Sequence, residues 1–227
     1  MNLLRKAIPE QRKERGVRTQ MFQRLRARSD AGFFHRVAKR GWERSGHFTF
    51  TSESSALRAW LAARLPVQQT VLTLGCGTGE LERVLRREGH NVVGVDVVYE
   101  MLKVAKRRGI KQVLRADAHF LPFCTAAFDV VILPETLGYI EVPRVFLEVA
   151  RVLKARGRFV ITSYPVHFPS HVTYRKLSTA HITRGLVRSG FSVREQRFLV
   201  VKPRSVREVD VERDSLLLYL MAKRHQR

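Results

Sequence analysis

Cysteine is scarce in this chain, at two in 227 residues. Cys76 and Cys124 have neither metal-ligand spacing nor the paired pattern of a disulfide framework. Both are expected to be free thiols in a reducing compartment, and no metal is expected. Acidic residues are also few, 20 against 42 Lys and Arg, for a formal charge of +22. No apolar run approaches the roughly 18 residues needed to cross a membrane. The start, Met1-Asn2-Leu3-Leu4-Arg5-Lys6, lacks the apolar core of a signal peptide. The expectation is a cytoplasmic protein with no transmembrane segment.

The basic excess is densest in the first 45 or so residues, where it reaches about three cations per anion. A field of that sign attracts RNA or an anionic surface. The competing reading is a coding bias, because Arg outnumbers Lys by about three to one. Residues 1–50 therefore read as a basic N-terminal extension. Met21, Phe22, Leu25, Phe33, Phe34, Val37 and Ala38 mark one or two amphipathic helices in it, with a break at Ser29-Asp30-Ala31-Gly32. Such a helix either packs on its own domain or lies along a polyanion.

Residues 51–227 read as one α/β domain. Its centre is Val71-Leu72-Thr73-Leu74-Gly75-Cys76-Gly77-Thr78-Gly79-Glu80, followed by the helical spacing of Leu81, Val84 and Leu85. A buried strand runs into a glycine turn and then a helix whose free N–H groups face the turn. Two familiar phosphate signatures are missing. The spacing is not G-x-G-x-x-G, and no Lys-Ser/Thr follows the last glycine. Glu80 is a poor neighbour for a pyrophosphate. The pattern speaks against NAD, FAD and ATP and for a nucleoside without phosphates. Asn91-Val92-Val93-Gly94-Val95-Asp96 is the next buried strand, and a carboxylate at its end can accept from both ribose hydroxyls.

On these residues the sequence resembles the class I S-adenosylmethionine-dependent methyltransferases, in the small-molecule branch typified by quinone-biosynthesis C-methyltransferases. Further motifs follow in order. They are Val92 to Leu102, Arg115-Ala116-Asp117-Ala118-His119-Phe120-Leu121-Pro122-Phe123, Phe128 to Leu133, and Glu148 to Lys154 with Gly157. The resemblance implies a seven-stranded doubly wound sheet, parallel except for its last strand. It also implies S-adenosylmethionine as cofactor, S-adenosylhomocysteine as product, and a cofactor site at Gly75, Cys76, Gly77, Gly79, Asp96, Val97, Met101, Asp117, Ala118 and Leu133. Met101 at that spacing is equally a core residue. Asp117 is equally a turn or cap residue.

Glu135 and Tyr139 follow the fourth strand, where ligands meet an open α/β sheet. His167 and His171 lie in a Pro-interrupted loop with Tyr164 and Tyr174, and a histidine there has a suitable range for a base. An exposed polar loop is the plainer reading, and no motif designates a catalytic residue. Pro134-Glu135-Thr136-Leu137 is not the Asp/Asn-Pro-Pro-aromatic signature of nucleic-acid amino-methyltransferases. No Pro-Cys pair supplies a cytosine-C5 nucleophile. A small-molecule methyl acceptor is the leading expectation, and an RNA or ribosomal partner recruited by the basic extension is the rival. The family usually carries Asp or Glu where this chain has Thr73, so a non-catalytic binding relative is the third reading.

Overall fold

The computed structural model describes residues 34, 38, 39, 53–167, 175–202, 204–215 and 217–225. Phe34, Ala38 and Lys39 are helical; the rest of the predicted N-terminal extension, and His171 and Tyr174 of the loop, lie outside the described residues.

The elements are α1 Glu53–Ala62, β1 Thr70–Leu74, α2 Glu80–Arg87, β2 Asn91–Asp96, α3 Tyr99–Arg107, β3 Val113–Arg115, β4 Phe128–Pro134, α4 Val142–Val152, β5 Leu153–Ser163, α5 Thr179–Arg188, β6 Phe191–Lys202, β7 Ser205–Val209 and β8 Leu217–Arg224. They form one eight-stranded sheet in the order β3-β2-β1-β4-β5-β8-β6-β7. β3, β2, β1, β4 and β5 are parallel, and β8 enters antiparallel between β5 and β6. The doubly wound sheet with an antiparallel last strand is thus as the sequence predicts. One addition concerns the charged link between β6 and β8. Its Ser205–Val209 pairs antiparallel with Phe198–Lys202 and becomes an eighth, edge strand. Val206 and Val209, three residues apart among charges, do not alternate and gave too weak a pattern to read as a strand.

The two faces of the sheet bury different clusters. Val71, Val130, Ile132 and Val160 pack with Leu57 and Leu61 of α1 and Leu81 and Leu85 of α2. Leu72, Leu74, Val131, Leu133, Phe159 and Ile161 pack with Val145, Phe146 and Val149 of α4 and with Ile182 and Leu186 of α5. Helices on both faces explain why β1 reads as an unbroken apolar run rather than an alternating one. Burying these side chains stabilises the fold by roughly 1.5–3 kcal/mol per large aliphatic or aromatic residue. Because alternate residues share a face, Thr73 and Thr162 project toward α1 and α2 with Val71 and Val160. The carboxyl ends of β1 and β4 flank the point where the winding reverses, and that crevice is where such sheets bind ligands.

Candidate cofactor site

The glycine turn is tied to the strand beside it. Gly75 and Cys76 both donate their N–H groups to the Val95 carbonyl, at 2.8 and 3.0 Å. Gly75 has φ +77°, and a Cβ there would collide with the Thr136 side chain beyond β4. Gly77 differs: at φ +53° it has nothing within 4 Å of a modest Cβ position. Gly75 is glycine because protein fills the space. Gly77 borders open space at the crevice, which suits a ligand lying against its backbone.

Asp96 closes the turn from β2. One carboxylate oxygen accepts from the Gly77 N–H at 2.8 Å and the other from the Val98 N–H at 2.8 Å. Burial raises its pKa, and the Val98, Gly77 and Val97 N–H groups oppose that rise. Each oxygen keeps a lone pair, so the half-buried carboxylate is oriented and still able to take two hydroxyls.

Asp117 is fixed by its neighbour two residues on. Its Oδ1 accepts from the His119 N–H at 2.9 Å and from the His119 ring at 2.5 Å. The other ring nitrogen accepts from the Glu141 N–H at 2.9 Å, so Nδ1 carries the hydrogen donated to Asp117. Burial pushes the Asp117 carboxyl up, but the hydrogen bonds from His119 and the charge of Arg144 leave the pKa below the usual value. The following Leu121-Pro122-Phe123 is held by α4. Arg151 donates to the Leu121 and Phe123 carbonyls at 2.8 and 2.7 Å, while Glu148 accepts from the Leu121 N–H at 2.8 Å.

Beneath α1 lie two threonine–glutamate pairs. Thr73 donates its hydroxyl hydrogen to Glu82 of α2. Thr162 of β5 donates to Glu135 at 2.6 Å. Glu135 has φ +42°, an uncommon conformation for a residue with a side chain. Arg58 of α1 faces both pairs. Burial lowers its pKa, and the charges of Glu80, Glu135 and Glu82 oppose that. Glu82 is fully buried, its Oε2 has no hydrogen-bond partner among the described residues, and burial pushes its carboxyl up to about 7. Glu135 is also raised by burial, against its Thr162 bond and Arg58.

Arg58, Glu82, His119 and Thr162 were not among the residues the sequence nominated. Spacing carried a signal for two of them. Glu82 precedes buried Leu85 by three residues and Arg58 precedes buried Leu61 by three, so both share an inward face.

Of the nominated residues, Gly75, Cys76, Gly77, Gly79, Asp96, Val97 and Asp117 gather at the carboxyl ends of β1, β2 and β3. The Cys76 thiol is raised well above its usual range by burial and by Glu82 and Asp96, so it serves as a small side chain in the turn. Ala118 is half-buried and packs on the main core. Met101 and Leu133 are 1% and 0% exposed and belong to the interior. Tyr139 meets Phe34 of the N-terminal segment edge to face, ring centres 5.3 Å apart. His167 is exposed and its Nε2 donates to the Ser215 carbonyl at 2.9 Å, which ties its loop to the start of β8. Among the described residues no group of three or more His, Cys, Asp or Glu could hold a metal ion.

Residues 72–161 match the family model for a methyltransferase domain. That match spans about two fifths of the chain. A demethylmenaquinone methyltransferase of Thermotoga maritima is 36% identical over 98 residues, 41% of this chain and 42% of that protein. A ubiquinone biosynthesis O-methyltransferase of Xylella fastidiosa is 31% identical over 100 residues, 41% of each chain. An uncharacterised protein of Methanocaldococcus jannaschii is 43% identical over 93 residues, 40% of this chain and 36% of that one. The chain spans less than half the length of these relatives. The fold is that of solved S-adenosylmethionine-dependent methyltransferases. One from Thermotoga maritima has TM-score 0.67 and 21% identity, covering 85% of this chain and 98% of that one. The geranyl diphosphate C-methyltransferase of Streptomyces coelicolor, solved with S-adenosylhomocysteine, has TM-score 0.62 and 20% identity, covering 76% and 79%.

The site fits S-adenosylmethionine by its donor set. An open glycine and an oriented, half-buried carboxylate with lone pairs to spare suit a phosphate-free nucleoside.

Proposed function

We propose that this chain transfers the methyl group of S-adenosylmethionine to a small-molecule acceptor by in-line displacement. The observation that carries the reading is Asp96, bracketed by the Gly77 and Val98 N–H groups beside the open face of Gly77. The cofactor supplies an electrophilic methyl carbon on a sulfonium centre. The chain's own residues bind and align. Asp96 would hold the ribose hydroxyls, and Asp117, with the Ala118 N–H, the adenine edge. Val97 borders the same pocket. Alignment of two reactants contributes several kcal/mol without a covalent intermediate, on the order of 7–11 kcal/mol at best.

Glu135 and Tyr139 face the acceptor side, and Phe34 against Tyr139 covers that side and helps exclude water. The names of two relatives, which act in menaquinone and ubiquinone methylation, favour a small-molecule acceptor. The formal charge of +22 favours the second reading, an RNA acceptor or ribosomal partner recruited by the basic N-terminal region. Incubation with methyl-tritiated S-adenosylmethionine and a cell extract separates the two. Label in the organic-soluble, nuclease-resistant fraction supports the first reading; label confined to nuclease-sensitive RNA refutes it.

A further inference from the structure

The helix that follows β2 turns one aromatic ring and a row of cations to solvent. α3 buries Met101, Leu102 and Ala105, and Tyr99, Lys103, Lys106 and Arg107 are exposed. These four stand at i, i+4, i+7 and i+8, so they share one side of the helix over about 12 Å. Lys111 and Arg115 carry the exposed basic run past its end. Glu100 is the acidic residue of the helix and falls outside that spacing. Glu80, beside the end of the helix, is taken by Arg83 and Arg108. Among the described residues Lys103, Lys106, Arg107 and Lys111 form no ion pair. Tyr99 is 49% exposed, with Lys103 Nζ 5.1 Å from its ring centre. It stands three residues after Asp96, while Arg115 pairs in register with Asp96 and donates its Nε hydrogen to the Val97 carbonyl at 3.2 Å. The face therefore starts at the rim of the cofactor crevice.

Two plainer causes fall short. Cations in a last turn complement the helix dipole, which accounts for Lys106 and Arg107 but not for Lys103 or Lys111. A coding bias toward arginine accounts for none of the lysines, and three of the chain's ten fall within residues 103–111. Nor does the face suit a membrane. A helix lying on a bilayer inserts its apolar side, and the apolar side of α3 is in the core. An exposed ring among cations suits a nucleic-acid strand, whose phosphates meet the cations and whose unpaired bases stack on aromatic rings.

We propose that this face of α3, Tyr99, Lys103, Lys106 and Arg107 with Lys111, docks single-stranded RNA. Phosphates lie along the cations, and a base stacks on Tyr99 at the crevice end. Loops and ends of RNA offer such unpaired bases. The face belongs to the α/β domain itself, apart from the basic N-terminal region, and holds RNA whether or not RNA is the methyl acceptor.

The test is fluorescence anisotropy of a labelled oligouridine titrated with the full chain over a range of salt. Lys103→Gln, Lys106→Gln and Arg107→Gln combined should weaken binding about tenfold or more. The slope of log affinity against log salt should fall by about 2, at roughly 0.7 per phosphate contact of a single strand. Arg184→Gln, Arg188→Gln and Lys202→Gln combined remove the same charge from exposed positions on α5 and β6 and should leave that slope near wild type. Equal losses in the two triple variants would reduce the binding to net charge and overturn the assignment, as would absence of RNA binding by the wild type. Tyr99→Ala should weaken the single strand about tenfold and leave an RNA duplex of the same length unaffected. The same loss on both, or on neither, would contradict the stacking contact. All of these side chains are exposed, so the variants keep the fold, which circular dichroism verifies. Pelleting of the wild type with phosphatidylserine vesicles, abolished in the α3 triple variant, would make the face a membrane site and refute the proposal.

Discussion

Thr73 on β1 and Glu82 on α2, nine residues apart, are both fully buried and joined by a hydrogen bond from the threonine hydroxyl to the carboxyl. The bond couples the first strand to the first turn of the helix that follows the glycines. It also gives the protein a titrating group where interiors ordinarily have none.

Glu82 makes stability depend on pH. Its carboxyl titrates near 4.5 in an ordinary setting and near 7 in the fold. The folded protein therefore keeps this proton longer than the unfolded chain. The associated stability is fully present below pH about 4.5 and is lost as pH rises through about 7. The full span amounts to about 3 kcal/mol. Urea unfolding at pH 5 and pH 8 should show Glu82→Gln close to wild type at pH 5 and more stable at pH 8. A variant whose stability tracks wild type at both values would remove Glu82 as the source.

Asp96→Ala takes away the carboxylate proposed to accept both ribose hydroxyls and frees the Gly77 and Val98 N–H groups that it holds. Hydrogen bonds to charged groups contribute about 1.5–3 kcal/mol each. Affinity for S-adenosylhomocysteine and for methylthioadenosine should both fall by roughly a hundredfold, because both carry the ribose. Unchanged affinity would place the ribose elsewhere.

Gly77→Val puts a branched side chain into the open space beside the turn and strains a backbone at φ +53°. Cofactor binding should be abolished. Gly89→Ala is the control: Gly89 lies at the end of α2 with φ +84° and also has nothing near a Cβ position. It should cost about 1–2 kcal/mol of stability and leave binding intact. Binding by the valine variant would mean that the turn is not the site.

His119→Leu removes the ring that joins Asp117 to the Glu141 N–H. The backbone N–H of residue 119 still reaches Asp117, so part of its orientation survives. A stability loss of roughly 1–3 kcal/mol is expected from the two broken bonds. Adenosine-containing ligands should weaken several-fold. Loss of stability with no change in affinity would make His119 a scaffold residue only.

The winding of the sheet was legible because β1, β2 and β4 are buried on both faces and so read as apolar runs. The glycine turn and Asp96 were legible because their spacing is local. The family's remaining motifs proved to be contacts: Leu121-Pro122-Phe123 and Glu148 with Arg151, motifs about 30 residues apart, hold one another. Glu82 and Arg58 were not legible as site residues, since a charged residue on an amphipathic helix normally marks the solvent face. Their spacing to buried Leu85 and Leu61 is the one local signal, and the packing of α1 and α2 over Thr73 and Thr162 turns those charges inward. Met101 and Leu133, which motif position nominated for the pocket, are 1% and 0% exposed. β7 escaped because an edge strand needs only a half-apolar pattern, and Arg207 and Glu208 blurred it.

Calorimetric titration of the wild-type chain with S-adenosylhomocysteine, beside NAD and ATP, tests the central claim most directly. Micromolar binding of S-adenosylhomocysteine with no heat from the two phosphate-bearing nucleotides is the predicted result. Binding of NAD or ATP in its place would contradict the assignment of the glycine turn to a phosphate-free nucleoside.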